Sequence, residues 1–205
     1  RPFYAELVTI PAAVPFNRQR NQIRAAWTNY LRQVDSQHPR LSAASTAVLR
    51  RCDAASNRAI PRGLIGTAQM GGLQMVRQFP NLHGRRLING RQVLGVIRPT
   101  VEALFTTINN LGWNDLLFQS SGAFCVRGVK HPVGSATYHT AARRLSEHGI
   151  GLALDLNVFE NPQGRGETGV MDPRIVALFE AFHFRWGRCF RTPDPHHFEY
   201  CGAGC

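Results

Sequence analysis

The stretch Ser146–Asn157, SEHGIGLALDLN, decides the fold. Its centre is small and apolar, as a buried strand requires. His148 stands near its head and Asp155 near its end, seven residues apart. Both are costly to bury, and a carboxylate leaves water only when it is paired or bound to a metal. The stretch therefore reads as a helix–strand junction, with His148 at the junction and Asp155 on the strand.

Working outward, residues from 114 onward carry short β-type runs: DLLFQSSGAFCVRG (115–128), GLALDLNVF (151–159), FRWGRCF (184–190) and HHFEYCG (196–202). Two helical stretches lie among them, YHTAARRLSEH (138–148) and DPRIVALFEAFH (172–183). ENPQGRGETG (160–169) is polar and Gly-rich and reads as a surface loop. Upstream, NRQRNQIRAAWTNYLRQVD (17–35) places Ile23, Trp27 and Leu31 four apart on one helical face. LSAASTAVLRRCDAA (41–55) continues the helical texture, and AIPRGLIGTAQMGGLQM (59–75) reads as an irregular connector. RPTVEALFTTINNLG (98–112) is a helix with Pro99 in its first turn and Gly112 just past its end. Helices segregated from clustered short strands predict an α+β fold with a small antiparallel sheet flanked by helices. The expected division is a helical N-terminal accessory region, 1–95, and a catalytic domain, 96–205.

The chain has 205 residues, and no apolar run reaches the roughly 18 residues of a membrane span. It begins at Arg1 rather than Met, so it is expected to be a processed or trimmed product, compatible with a lost signal peptide. Net charge is +11, from 24 Lys+Arg against 13 Asp+Glu, and Lys130 is the sole lysine. Such a surface favours anionic partners: nucleic acid, anionic lipid headgroups, or an acidic cell-wall polymer or peptide. Cys52, Cys125, Cys189, Cys201 and Cys205 form no C-x-x-C pair, which argues against a ribbon-type zinc site. Three of the five fall in the last 17 residues, like a disulfide-stapled terminus in an oxidising compartment. The odd count leaves at least one cysteine unpaired within the monomer.

A second polar cluster is TPDPHHFEY, residues 192–200. On a strand, Phe198 and Tyr200 share one face, and His197 and Glu199 share the other. Alternation turns His196 away from His197, so His196 is left off the site. Two histidines and an aspartate from two separated segments suffice for catalytic zinc, which takes three N/O protein ligands and keeps one position open. A base that is not itself a ligand is also needed. Asp194, three residues before His197, can take that place. Glu199 is a candidate to orient a ligand, and Ser146 to cap or position the ligand loop by hydrogen bonding. His131, His139 and His183 read as structural or solvent-exposed.

Ser146, His148, Gly151, Ala153 and Asp155 meet the pattern S-x-H-x-x-G-x-A-x-D in full. Meeting all five by chance in a chain this size is about a one-in-ten-thousand event at average composition. Asp194 and His197 meet D-x-x-H, followed by Phe-Glu. With these motifs the chain resembles the zinc D-alanyl-D-alanine carboxypeptidase family. That family also includes the vancomycin-resistance dipeptidases and the L-alanyl-D-glutamate endopeptidases of phage lysins. FRWGRCF resembles the family's Trp-Gly segment, and GAFCVRG (122–128) the segment that supplies an arginine. The resemblance covers about residues 95 to 201.

The resemblance implies a D-Ala-D-Ala carboxypeptidase/hedgehog-like fold with His148, Asp155 and His197 as ligands of Zn2+. It makes Asp194 the general base and later proton donor, and Arg127 the partner of the developing oxyanion. Many family members have Glu where Asp194 stands. The implied activity is hydrolysis of an amide bond in a peptidoglycan stem peptide, at D-Ala-D-Ala or at L-Ala-D-Glu. An anionic cell-wall polymer is a further expected partner, and the periplasm or the extracellular cell wall the expected location. Two other readings stand beside it: a non-catalytic zinc-containing wall-binding module on the same fold, and a basic nucleic-acid-binding protein. An intact base and arginine argue against the first, and only charge speaks for the second.

Overall fold

The computed structural model describes residues 16–37, 46, 50, 65–69, 90–94, 97–117, 120–121, 125, 127–130, 136, 138–164 and 171–204. Most of the helical stretch expected at 41–55 lies outside the described residues. The chain divides into two compact units interleaved along the sequence. One comprises Arg1–Gly66, Leu94–Val96 and Phe124–Gly151; the other comprises Thr67–Val93, Ile97–Ala123 and Leu152–Cys205.

In the first unit, helix α1 spans Phe16–Gln37. Ile23, Ala26 and Trp27 are buried along one face, as the four-residue spacing predicts. The stretch 138–148, read as one helix, is two: α3, Tyr138–Ala142, and α4, Glu147–Ile150. Leu145 forms an isolated antiparallel bridge with Gly128, which takes the chain out of helical register. Ser146 then caps the new turn, its side chain accepting from the His148 N–H. Strand β1, Ile65–Gln69, which falls in the stretch 59–75 read as a connector, pairs with β2, Gly90–Leu94, and most of both strands belongs to the second unit.

The second unit contains α2, Arg98–Asn110, which carries Pro99 at its start and Gly112 at φ 67 beyond its end. Its antiparallel sheet has the order β3 (Ser120–Ser121), β4 (Ala153–Leu156), β6 (His197–Tyr200), β5 (Phe184–Trp186). This is the α+β arrangement expected. The run expected to be β-type from residue 115 opens instead in a 3₁₀ turn, Asn114–Leu116, ahead of Ser120–Ser121. Helix α5, Pro173–Ala181, is capped by the Asp172 side chain on the Arg174 N–H. Phe179 on α5 packs its ring 4.4 Å from Phe198, 5.3 Å from Phe184 and 6.1 Å from Phe105. These four phenylalanines are fully buried and fix the sheet against α2 and α5. The face of β6 opposite Phe198 and Tyr200 is left for polar groups. Among the described residues, no helix is long and apolar enough to cross a membrane.

Candidate metal centre

His148 is buried, with 3 % of its surface exposed, on the single turn of α4. That turn is held at every corner. Ser146 Oγ accepts from the His148 N–H at 3.3 Å. The Cys125 N–H donates to the His148 carbonyl at 3.1 Å. Gly151 ends the turn at φ 81, a left-handed conformation that a side chain would strain. Ser146 is thus a cap, the hydrogen-bonding role its position suggested. His139 hydrogen-bonds Thr46 at 2.6 Å, a structural pairing.

Asp155 and His197 owe their proximity to register. The β4–β6 ladder sets Asp155 directly opposite His197 and Ala153 opposite Glu199. Directly opposed side chains lie on the same face, and the Asp155 Oδ1 to His197 Nδ1 distance is 2.9 Å. On the other flank, β5 sets Arg185 opposite Glu199. The Arg185 guanidinium pairs with Glu199 Oε1, while Glu199 Oε2 sits 3.3 Å from His197 Nε2. The small side chain of Ala153 leaves room for this pair beside it.

The charges answer one another. Burial alone would depress the His197 pKa, but hydrogen bonds and attraction from Asp155 and Glu199, with Asp194 beyond, raise it to about 10. Burial would lift Glu199, yet its contacts with His197 and Arg185 hold it at about 2. Without metal, His197 is an imidazolium between two carboxylates. Glu199, anchored by Arg185, takes the Nε2 side and leaves Nδ1 facing Asp155. A carboxylate behind a ligating imidazole fixes its orientation and raises its basicity.

Asp194 is 9 % exposed and precedes β6. Gln163 donates to its Oδ2 at 2.8 Å, and His196 Nε2 lies 3.0 Å from Oδ1. His196 Nδ1 is 2.6 Å from the Asn161 carbonyl, so the imidazolium form can serve both acceptors. Burial opposes that proton, while hydrogen bonding to Asp194 and attraction from Asp155 and Asp194 raise the His196 pKa overall. Strand alternation had set His196 aside. β6 begins only at His197, however, so alternation does not govern His196. The loop read as a surface excursion also begins inside the site: Asn161 is fully buried and Gln163 grips Asp194. Residues 165–169 of that loop lie outside the described residues. Arg127, half-buried in the other unit, donates from Nη1 to the Gly128 carbonyl at 3.3 Å. Its own carbonyl accepts from the Ser146 N–H at 3.0 Å. Gln163 and Arg185 were missed from sequence because only tertiary contact distinguishes them from ordinary surface polar groups, whereas His196 was set aside by applying alternation one residue ahead of the strand.

His148, Asp155 and His197 offer ligand atoms that all lie within 4.8 Å of one another. Two imidazoles and one carboxylate fit a borderline ion such as zinc. An α+β sheet carrying such a donor set, with a buried carboxylate three residues ahead of one candidate ligand, is an arrangement that metal-dependent hydrolysis can use. Residues 140–200 match the family model for D-alanyl-D-alanine carboxypeptidase. The match contains both motifs, covers less than a third of the chain and lies wholly outside α1. No curated protein and no solved structure matches the chain.

Proposed function

We propose that the protein is a zinc peptidase that hydrolyses amide bonds in peptidoglycan stem peptides. The observation that carries this reading is the clustering of His148, Asp155 and His197 donor atoms within 4.8 Å, in the segment that matches the family. His148, Asp155 and His197 are the residues that would hold the ion. When bound, zinc supplies a Lewis acid and lowers the pKa of water to about 7. Asp194 accepts the proton of the water as its oxygen attacks the amide carbon. It returns that proton to the amine nitrogen as the C–N bond breaks. Gln163 and His196 hold the two carboxylate oxygens in place for this exchange. Arg127 takes the role of sharing the negative charge on the scissile carbonyl oxygen. Removing one such donor costs on the order of a hundredfold in rate.

The net charge of +11 supports an anionic wall polymer as a second partner. The crowding of cysteines into the last 17 residues supports an oxidising, periplasmic or extracellular site of action. Cys189 is an exposed free thiol. Digestion of purified peptidoglycan with mass analysis of the products tests the function and identifies the bond. The parent should release either D-Ala or fragments cut at L-Ala-D-Glu. Asp194→Ala should bind zinc yet lose at least about a hundredfold in rate, and chelation should abolish cleavage. An intact sacculus beside stoichiometric zinc would instead favour a non-catalytic wall-binding module. Cleavage by Asp194→Ala at the parent's rate would remove it as the base.

A further inference from the structure

Helix α1 lies outside the matched segment, yet it grips the turn that presents His148. Arg20 and Arg24, one helical turn apart, both reach Glu147 Oε1, at 3.2 and 2.5 Å. Glu147 immediately precedes His148. Its side chain is 12 % exposed, and among the described residues its Oε2 is buried without a partner. A carboxylate so far from water needs counter-charge, and the two arginines supply it. Beside them the buried Trp27 donates Nε1–H to the Arg143 carbonyl at 2.8 Å. One face of α1 therefore holds both ends of the segment 143–147.

Helix α4 has four residues, too few to be stable alone. Its order must come from partners: the Ser146 cap, the Cys125–His148 backbone bond and the Arg20–Glu147–Arg24 clamp. We infer that α1 is a positioning element for the metal ligand His148, with Arg20 and Arg24 fixing the α4 turn through Glu147. The fraction of molecules with the turn formed multiplies the intrinsic metal affinity. Loosening the clamp therefore weakens binding without touching a ligand. This inference rests on the metal reading above. It gives α1, part of the region expected to be accessory, a place in the site.

The test compares the parent with Arg20→Ala/Arg24→Ala, Arg20→Lys/Arg24→Lys and the control Arg32→Ala. Arg32 is an exposed cation on the same helix, bonded to Asn29. Two quantities are read on full-length protein: amide hydrogen exchange across 146–151 without metal, and zinc affinity by competition with a chromophoric chelator. Direct partners of ligands are worth about 10–100-fold in affinity. One step removed, the double alanine variant should lose about threefold to tenfold and exchange faster at 146–151. The lysine variant should recover most of both, and Arg32→Ala should change neither. A merely structural role would lower the melting temperature equally with and without zinc. Positioning should also shrink the increment that zinc produces. If the double variant does not fold, Arg20→Ala alone carries the test, since Arg20 is the more buried partner at 20 % exposure against 45 % for Arg24. Unchanged exchange and unchanged affinity in a parent that binds zinc would overturn the inference. A parent that binds no zinc would overturn the metal reading instead, and faster exchange in the double variant would still establish the clamp.

Discussion

Gly187→Ala should damage the site by sterics alone. Gly187 follows β5, and its carbonyl accepts from the Asp194 N–H at 2.9 Å and from the Phe190 N–H at 3.1 Å. A methyl on its Cα would lie 2.5 Å from the Asp194 carbonyl oxygen and 3.1 Å from both Cβ and the carbonyl oxygen of His197. Carbon and carbonyl oxygen in close contact normally stand about 3.3 Å apart or more. The backbones must therefore part by roughly 0.8 Å, and the nearest atom belongs to main chain that no rotamer change can move. Overpacking of this kind costs about 1–3 kcal/mol. In a chain of this size each kcal/mol lowers the melting temperature by about 2–4 °C, so a fall of roughly 2–12 °C is expected.

The functional loss should exceed the loss of stability. The residues pushed are the candidate base and a candidate ligand, and a misplacement of about 1 Å commonly costs on the order of a hundredfold in rate. Calorimetric melting of the metal-free protein gives the first quantity, and timed peptidoglycan digestion below the melting range gives the second. A Gly187→Ala protein that melts within about 1 °C of the parent and digests at the parent's rate would refute the close packing of 187 on 194–197.

Further outcomes follow from the charges and the core. Zinc uptake must displace the proton that His197 holds with a pKa of about 10, so affinity should rise about tenfold per pH unit from neutrality towards that value. Calorimetry in buffers of different ionisation enthalpy should register the released proton. In metal-free protein, the stability from His197 is full below its ordinary 6.5 and is lost as pH rises through about 10. That from Glu199 is full above its ordinary 4.5 and is lost as pH falls towards about 2. Urea midpoints should therefore be highest between these ordinary values and fall on both sides. Phe179→Ala should cost about 3–5 kcal/mol in the same assay, because its ring is fully buried against Phe105, Phe184 and Phe198.

Legibility in the sequence followed the range of the force involved. The candidate ligands could be read because local rules fix them: Ser146 caps, Gly151 takes the left-handed turn, and strand alternation puts Asp155 and His197 on usable faces. α1 was legible from the spacing of Ile23 and Trp27. Its docking on Glu147 was not, because an arginine pair looks the same whichever distant carboxylate it meets. Gln163 was hidden for the same reason, His196 was excluded by extending strand alternation one residue too far, and the break at Leu145 depends on a bridge to Gly128 that no local pattern announces.

The sheet also explains why small residues recur beside the charges. In one row across β4, β6 and β5, Ala153 opposes Glu199, which opposes Arg185. In the next, Asp155 opposes His197, whose other flank is Gly187. Each row holds one ionic pair and one residue with little or no side chain. The space left beside Glu199 and His197 lets each make contacts on both sides: Arg185 and His197 for the first, Asp155 and Glu199 for the second. Larger neighbours would force the buried charges apart, and an unpaired charge there costs several kcal/mol. Ala153 of the motif and Gly187 of the Trp-Gly segment thus serve one requirement. They keep a line of alternating charge, Asp155, His197, Glu199, Arg185, continuous across a face that would otherwise reject it.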